Sequence, residues 1–290
     1  MSPSLKVCAV LAVCFSATAQ AAVIINYPDF SSTAGLTLKG SAAQQGNQLQ
    51  VTPAAFSQAG AAYSTSAVTL GTNATFSTTF QFQFTRPGGV VGSPADGITF
   101  VIAASPTGLG SAGGSLGYGG VPNSFAIEFD SYDNTADVND ANSSNHIAIL
   151  TNGNVNATSD QDLVKPYGVG VCNFNPANPN TAFGCMSNGD IWTATIGYNG
   201  SALSMTVRDG TGADFLVYQN LPFDIASIIG TNTAFVGFTG GTGAGFEQQN
   251  ILNWQLANDT ALGPSVPEPG TLALVGLALA GFAASRRRKQ

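Results

Sequence analysis

Positive charge is nearly missing from the body of this chain. Of its nine lysines and arginines, only Lys39, Arg86, Lys165 and Arg208 fall between residues 22 and 258. A surface so poor in cations cannot neutralise phosphates, which excludes nucleic acid and anionic membrane as partners. Histidine occurs once, as His146, which excludes any centre built on several imidazoles. Cysteine is scarce too: Cys8 and Cys14 fall in the N-terminal leader, and only Cys172 and Cys185 remain. Two cysteines enclosing an Asn- and Pro-rich loop in an exported chain predict a disulfide. Closing so short a loop contributes roughly 3 kcal/mol. Helical patterning is almost absent, which excludes a helical bundle.

Both ends of the chain are addresses rather than fold. Residues 1–21 carry Lys6, an apolar stretch from Val7 to Phe15, and Ala19-Gln20-Ala21. That order is an export signal. At the other end, residues 259–270 form a linker containing Val266-Pro267-Glu268-Pro269. An uncharged run from Thr271 to Ala284 and the basic tail Arg286-Arg287-Arg288-Lys289 fill residues 271–290. A helix of fourteen residues spans roughly 21 Å, short of a bilayer core of roughly 30 Å. The basic tail would stay cytoplasmic. The unit resembles the PEP-CTERM sorting tag. The resemblance implies export in a Gram-negative bacterium to the envelope, outer surface or matrix. It also implies transient inner-membrane retention through a transmembrane helix and processing by an exosortase.

What remains, residues 22–258, reads as one all-β domain. Phe76, Phe80, Phe82 and Phe84 alternate with polar residues, as in a half-buried strand. Ile98 to Ala103 is apolar at every position but Thr99, as in a strand buried on both faces. In Phe125–Asp130, Phe125, Ile127 and Phe129 point one way and Glu128 and Asp130 the other. Ile147 and Ile149 repeat the pattern. Further strands are expected over 193–198, 202–208, 234–238 and 251–256. Many short strands with Gly-rich turns predict an antiparallel β-sandwich. Trp192 and Trp254 are core residues.

Five of the sixteen acidic residues crowd between Glu128 and Asp140, and His146 follows shortly after. Clustered carboxylates repel unless a cation sits among them. Carboxylate with imidazole suits a transition metal; carboxylate, amide and carbonyl oxygen suit calcium. The run is no EF-hand, because Gly at the sixth position and Glu at the twelfth are missing from every starting Asp. Gly108-Leu109-Gly110-Ser111-Ala112-Gly113 matches a dinucleotide fingerprint, but Ser115 to Pro122 cannot supply the helix that cradles phosphate.

Four segments, in order, resemble the legume-type (L-type) lectin family. They are Ala95-Asp96-Gly97; Gly113-Gly114-Ser115-Leu116-Gly117; Glu128-Phe129-Asp130-Ser131-Tyr132-Asp133-Asn134 running on to His146-Ile147; and Val236 to Gly243 leading to Ile251-Leu252-Asn253-Trp254. The resemblance implies a jelly-roll sandwich of the concanavalin A type and a carbohydrate-binding function without catalysis. It implies a transition metal, manganese by expectation, on Glu128, Asp130 and His146. Calcium falls to Asp130, the Tyr132 carbonyl and Asn134. A further Asp bridges both ions in the family. Here the Asn134–His146 stretch is longer than usual, and Asp140 is the first choice with Asp137 the second. The sugar contacts implied are Asp96, the Gly114 N–H, the Asn134 amide and the Tyr132 ring, with Gly243 in a variable specificity loop spanning 240–249. A cis Ala95–Asp96 bond is implied as well.

Few polar contacts and one stacked ring predict weak single-site binding, so avidity calls for several copies, as in a homo-oligomer or a decorated surface. Two other functions fit parts of the sequence. A β-sandwich glycoside hydrolase needs paired carboxyls along one strand, but Tyr132 stands where the second Glu belongs. A matrix protein with a degenerate lectin fold is motivated by the altered spacing before His146.

Overall fold

The computed structural model describes residues 22–69, 75–89, 94–134, 143–156, 164–166, 172, 184–231 and 233–258. Its strands in chain order begin with β1 (Ala22–Tyr27), β2 (Leu36–Gly40), β3 (Ala43–Gln45), β4 (Gln48–Thr52), β5 (Ala59–Ser64) and β6 (Val68–Thr69). They continue with β7 (Phe76–Gly89), β8 (Gly97–Ala103), β9 (Ser124–Asp130), β10 (His146–Thr151) and β11 (Val164–Pro166). The last are β12 (Trp192–Tyr198), β13 (Ala202–Asp209), β14 (Phe215–Pro222), β15 (Thr233–Gly241) and β16 (Gly245–Asn258). One short helix, α1 (Ile225–Ile229), precedes β15. Among the described residues no helix is long and apolar enough to cross a membrane. The transmembrane helix expected in 271–290 falls outside them.

The strands form two antiparallel sheets. The first runs β14-β13-β12-β7-β16-β4-β3, with β1 also on β16; the second runs β11-β10-β9-β8-β15-β5-β2, with β6 also on β15. This is the β-sandwich that the turn-rich sequence predicts. Its core lies between the sheets and is largely aromatic. Phe80 stacks on Phe100 and meets Phe129 and Phe238 edge-on at 5.6 and 5.0 Å. Phe238 in turn meets Trp254 at 5.0 Å, and Phe82 stacks on Trp192. Burying each such ring stabilises by about 1.5–3 kcal/mol.

A second, smaller core covers the opposite face of the second sheet. Tyr118 and Val121, from the long connection between β8 and β9, pack on Ala61, Val101, Ala103, Ala126 and Ala148. Four of those sheet residues are alanines, which lets the connection lie close. Its backbone is then tied down. Thr99 Oγ1 lies 2.7 Å from Thr239 Oγ1, which donates to the Leu116 carbonyl at 2.8 Å. The Gly113 N–H donates to the Thr242 carbonyl at 2.9 Å. Gly113–Ser115 form a single 3₁₀ turn, with no α-helix behind the glycine run.

β16 is longer than the apolar pattern predicts. The expected specificity loop over 240–249 shrinks to Thr242–Ala244, because Gly240 and Gly241 end β15 and Gly245 opens β16. Polar residues conceal this strand in the sequence. Gln249 is fully buried, yet its amide donates to the Gly241 carbonyl and its Oε1 accepts from Thr52. Once its polar atoms are paired, a buried amide is tolerated.

Candidate functional site

Strand alternation places the site. β9 is buried on both faces, and Glu128 and Asp130 leave it on the side of the smaller core. β10 runs antiparallel to it, with His146 opposite Asp130 and Ala148 opposite Glu128. His146 therefore shares a face with both carboxylates. The three ligand atoms lie within 4.8 Å of one another, and all three residues are buried. The His146 Nε2 stands 3.2 Å from the Glu128 Oε1.

The imidazole's other nitrogen tests whether this trio suits a cation. His146 Nδ1 lies 2.9 Å from the Ser143 carbonyl. A carbonyl only accepts, so Nδ1 carries hydrogen. In the neutral ring Nε2 then presents a lone pair to a carboxylate oxygen, two acceptors face to face. A positive charge between them resolves the conflict, whether a proton or a metal ion. A backbone carbonyl that holds the far ring nitrogen and so fixes the tautomer is the usual arrangement around a metal-bound histidine. Two buried carboxylates with an imidazole are a mixed oxygen and nitrogen donor set that fits a transition ion.

The segment before His146 is held from outside the sheet. Asn145 Nδ2 donates to the Gly184 carbonyl at 2.6 Å, and its Oδ1 accepts from the Met186 N–H at 2.9 Å. Both contacts bracket Cys185, which is bonded to Cys172. The Gly184 N–H also donates to the buried Asp209 at 2.6 Å. The disulfide segment thus clamps the residue that precedes the histidine. Asp137 and Asp140, the two choices for a bridging carboxylate, lie outside the described residues.

Beyond β9 the chain turns at Tyr132, whose N–H donates to Asp130 Oδ1 at 2.7 Å. Asn134 follows, and a Cβ added to Gly114 would stand 2.9 Å from its Oδ1. A methyl group there would push the Asn134 amide aside. Asp96 sits just before β8, at 3% exposure, after a cis Ala95–Asp96 bond. Its carbonyl accepts from the Ser131 N–H at 2.8 Å and its N–H donates to the Gly241 carbonyl at 3.1 Å. A Cβ on Gly243 would lie 3.3 Å from Asp96 Oδ2 and equally near Gly113. Asp96, Gly114, Asn134 and Gly243 therefore meet at one end of the sandwich, next to the Glu128–Asp130–His146 trio.

The sequence reading missed Glu247. It points inward from β16 and is fully buried. Ser131 Oγ lies 2.6 Å from its Oε1, and Ser187 Oγ donates to its Oε2 at 2.7 Å. The Ser131 hydroxyl also reaches the Asp96 carbonyl at 3.1 Å. Burial pushes the Glu247 carboxyl up to about 8; the two serine contacts lower it, and the Asp96 charge raises it further. Glu247 thus links the Asp96 loop, the turn after β9 and the disulfide segment. A lone acid amid glutamines carried no signal of this.

Comparison with known proteins decides the family. A profile described as the legume lectin beta-barrel domain matches residues 26–254. The chain belongs to the legume lectin family. A second profile, the PEP-CTERM protein-sorting motif, matches residues 265–288 and marks the protein for export and sorting to the envelope. A receptor kinase of Arabidopsis thaliana with a probable L-type lectin domain is 28% identical over 177 residues, covering 57% of this chain. This chain spans only 24% of that relative's length. Among solved structures, a Bauhinia forficata lectin in complex with GalNAc is 24% identical, with a TM-score of 0.62 over 83% of this chain and 99% of that one. The basic winged bean lectin with Tn-antigen is 22% identical, with a TM-score of 0.65 over 83% and 99%. The metal-free lectin I-B4 of Griffonia simplicifolia is 22% identical, with a TM-score of 0.63 over 81% and 99%. These likenesses establish the sandwich fold, that of a family of carbohydrate-binding proteins.

Proposed function

We propose that this protein is an exported, metal-dependent lectin that recognises envelope or extracellular polysaccharide of a Gram-negative bacterium. The observation that carries the reading is the approach of His146 Nε2 to Glu128 beside Asp130, with Nδ1 on a backbone carbonyl. Glu128, Asp130 and His146 hold a transition ion, manganese by the family's habit. Asp130, the Tyr132 carbonyl and Asn134 hold calcium, with Asp140 or Asp137 completing the pair. When bound, the cations neutralise the carboxylate cluster and fix the Asn134 turn. The chain's own groups do the recognising. Asp96 accepts from sugar hydroxyls, the Gly114 N–H and the Asn134 amide donate, and the Tyr132 ring lies along the apolar side of a pyranose. Gly243 leaves room beside Asp96. Binding, not turnover, is the task.

The fold supports display at a surface. Ala22 pairs with Asn258, so both ends of the domain, and the linker that follows it, meet at one corner. Gly245, at the other end of β16, lies beside the Asp96 end. Thirteen strand steps separate them, about 40 Å. A domain held through residues 259–290, or by an exosortase before processing, would present its pocket outward. Weak single sites then gain strength from many copies, as oligomers or as a dense layer.

A glycan array with and without chelator tests the reading. N-acetylgalactosamine and galactose, ligands named for relatives of this fold, are the first probes. Binding should vanish with chelator, return with Ca²⁺ and Mn²⁺, and be absent in Asn134→Ala. Chelator-insensitive binding, or none on a broad array, would favour a matrix protein on a degenerate lectin scaffold.

A further inference from the structure

We propose that Phe56 is the platform of a second saccharide subsite, taking the next pyranose of a chain whose terminal residue sits at Asp96 and Asn134. The inference rests on the sugar placement above and extends it.

Single exposed apolar side chains are ordinary. Phe56 differs in how it is held and where. The residue is 51% exposed, yet its ring is braced edge-on by Phe246 at a centroid distance of 5.0 Å and an interplanar angle of 88°. The backbone around it is pinned on all sides. The Ser57 N–H donates to the Gly243 carbonyl at 3.1 Å, and Thr242 N–H donates to the Gln58 carbonyl at 2.9 Å. Thr242 Oγ1 donates to the Ala55 carbonyl and accepts from the Gln58 N–H. Ser57 takes a left-handed conformation, φ 53°, which a non-glycine residue adopts at a cost. That expenditure fixes an apolar ring in solvent.

The turn that pins Phe56 also borders Asp96. Gly243 faces Asp96 on one side and bonds Ser57 on the other. Of Gly243-Ala244-Gly245 only Ala244 is exposed, and none of the three carries a side chain larger than a methyl group. On this proposal a saccharide leaving Asp96 crosses that turn to the phenyl face. An aromatic ring prefixed at this height suits the C–H face of a pyranose, and a rigid ring loses little entropy on contact.

Calorimetry on the full chain, saturated with Ca²⁺ and Mn²⁺, tests this. The probes are galactose, N-acetylgalactosamine, glucose, mannose and fucose, each free and as the terminal residue of a tetrasaccharide. For the sugars that bind, the tetrasaccharide should bind about tenfold tighter than its monosaccharide, the scale of one aromatic contact. Phe56→Ala should erase that advantage while monosaccharide affinity stays unchanged, and Phe56→Trp should retain it. An undiminished advantage in Phe56→Ala, or a loss of thermal stability with unaltered affinities, overturns the subsite and leaves the Asp96 site standing. Asn134→Ala should abolish binding of both probe classes; binding that survives it overturns the placement at Asp96 and this extension together.

Discussion

Phe125, Ile127 and Phe129 leave β9 on one side, and Ala126, Glu128 and Asp130 leave it on the other; all six are shielded from water. The first set packs into the aromatic core between the sheets. The second begins in the smaller core at Ala126 and ends in the carboxylate–imidazole cluster. Burial therefore means opposite things on the two faces. Rings gain from leaving water, whereas carboxylates lose hydration that only a partner charge restores. The aromatic face supplies stability in any ionic condition. The polar face is a liability that, on the proposed reading, becomes a site when a cation is present.

The largest effect that would sharpen this contrast is Phe129→Ala. Removing the ring from between Phe80 and Phe82 should cost about 3–5 kcal/mol. The loss in urea unfolding should be the same with and without chelator. A chelator-dependent loss would mean that the two faces are coupled.

Next comes the disulfide. Replacing Cys172 and Cys185 by serine should cost about 3 kcal/mol from loop entropy. Because the Cys185 segment clamps Asn145 beside His146, it should also weaken Mn²⁺ binding measured by calorimetry. Unchanged metal affinity would show that the clamp is only structural.

Third is the cation itself. At a concentration a hundredfold above its dissociation constant, bound metal should stabilise wild type by about 2.7 kcal/mol. Asp130→Asn should show no such chelator response, and without metal it should be no less stable than wild type. A large loss in the metal-free variant would break the claim that this face contributes only with its ion.

The fold was legible because Phe125, Ile127 and Phe129 on β9 and Phe80, Phe82 and Phe84 on β7 recur at every second position, and because Ile98–Ala103 fits a doubly buried strand. The ligand trio was legible for the same reason: a period of two puts Glu128 and Asp130 together. Glu247 was not legible. Its inward position is polar, and the strand around it, Gly245–Gln249, reads as loop until Gln249 and Glu247 are seen to find partners across the sandwich. Phe56 was hidden differently. Nothing in Ala55-Phe56-Ser57 signals that a distant turn at Gly243 would pin it outward.

The smallest effect concerns Glu247. Burial holds its carboxyl near 8 in the folded protein, well above the ordinary carboxylate range of the unfolded chain. The folded state therefore keeps a proton that the unfolded state releases. Its contribution is fully present below the ordinary range and is lost as pH rises through the folded value. Unfolding free energy of the chelator-treated protein should fall by about 1 kcal/mol between pH 7 and 8. Glu247→Gln keeps the serine contacts with a neutral group and should flatten that slope. An identical slope in the variant would assign the pH dependence elsewhere.

The most direct test of the central claim is a crystal grown in Ca²⁺ and Mn²⁺, with anomalous scattering recorded at the manganese edge. A peak bounded by Glu128, Asp130 and His146, with a second, weaker scatterer between Asp130 and Asn134, is the predicted result. Solvent alone beside Asp130 at saturating metal would contradict it.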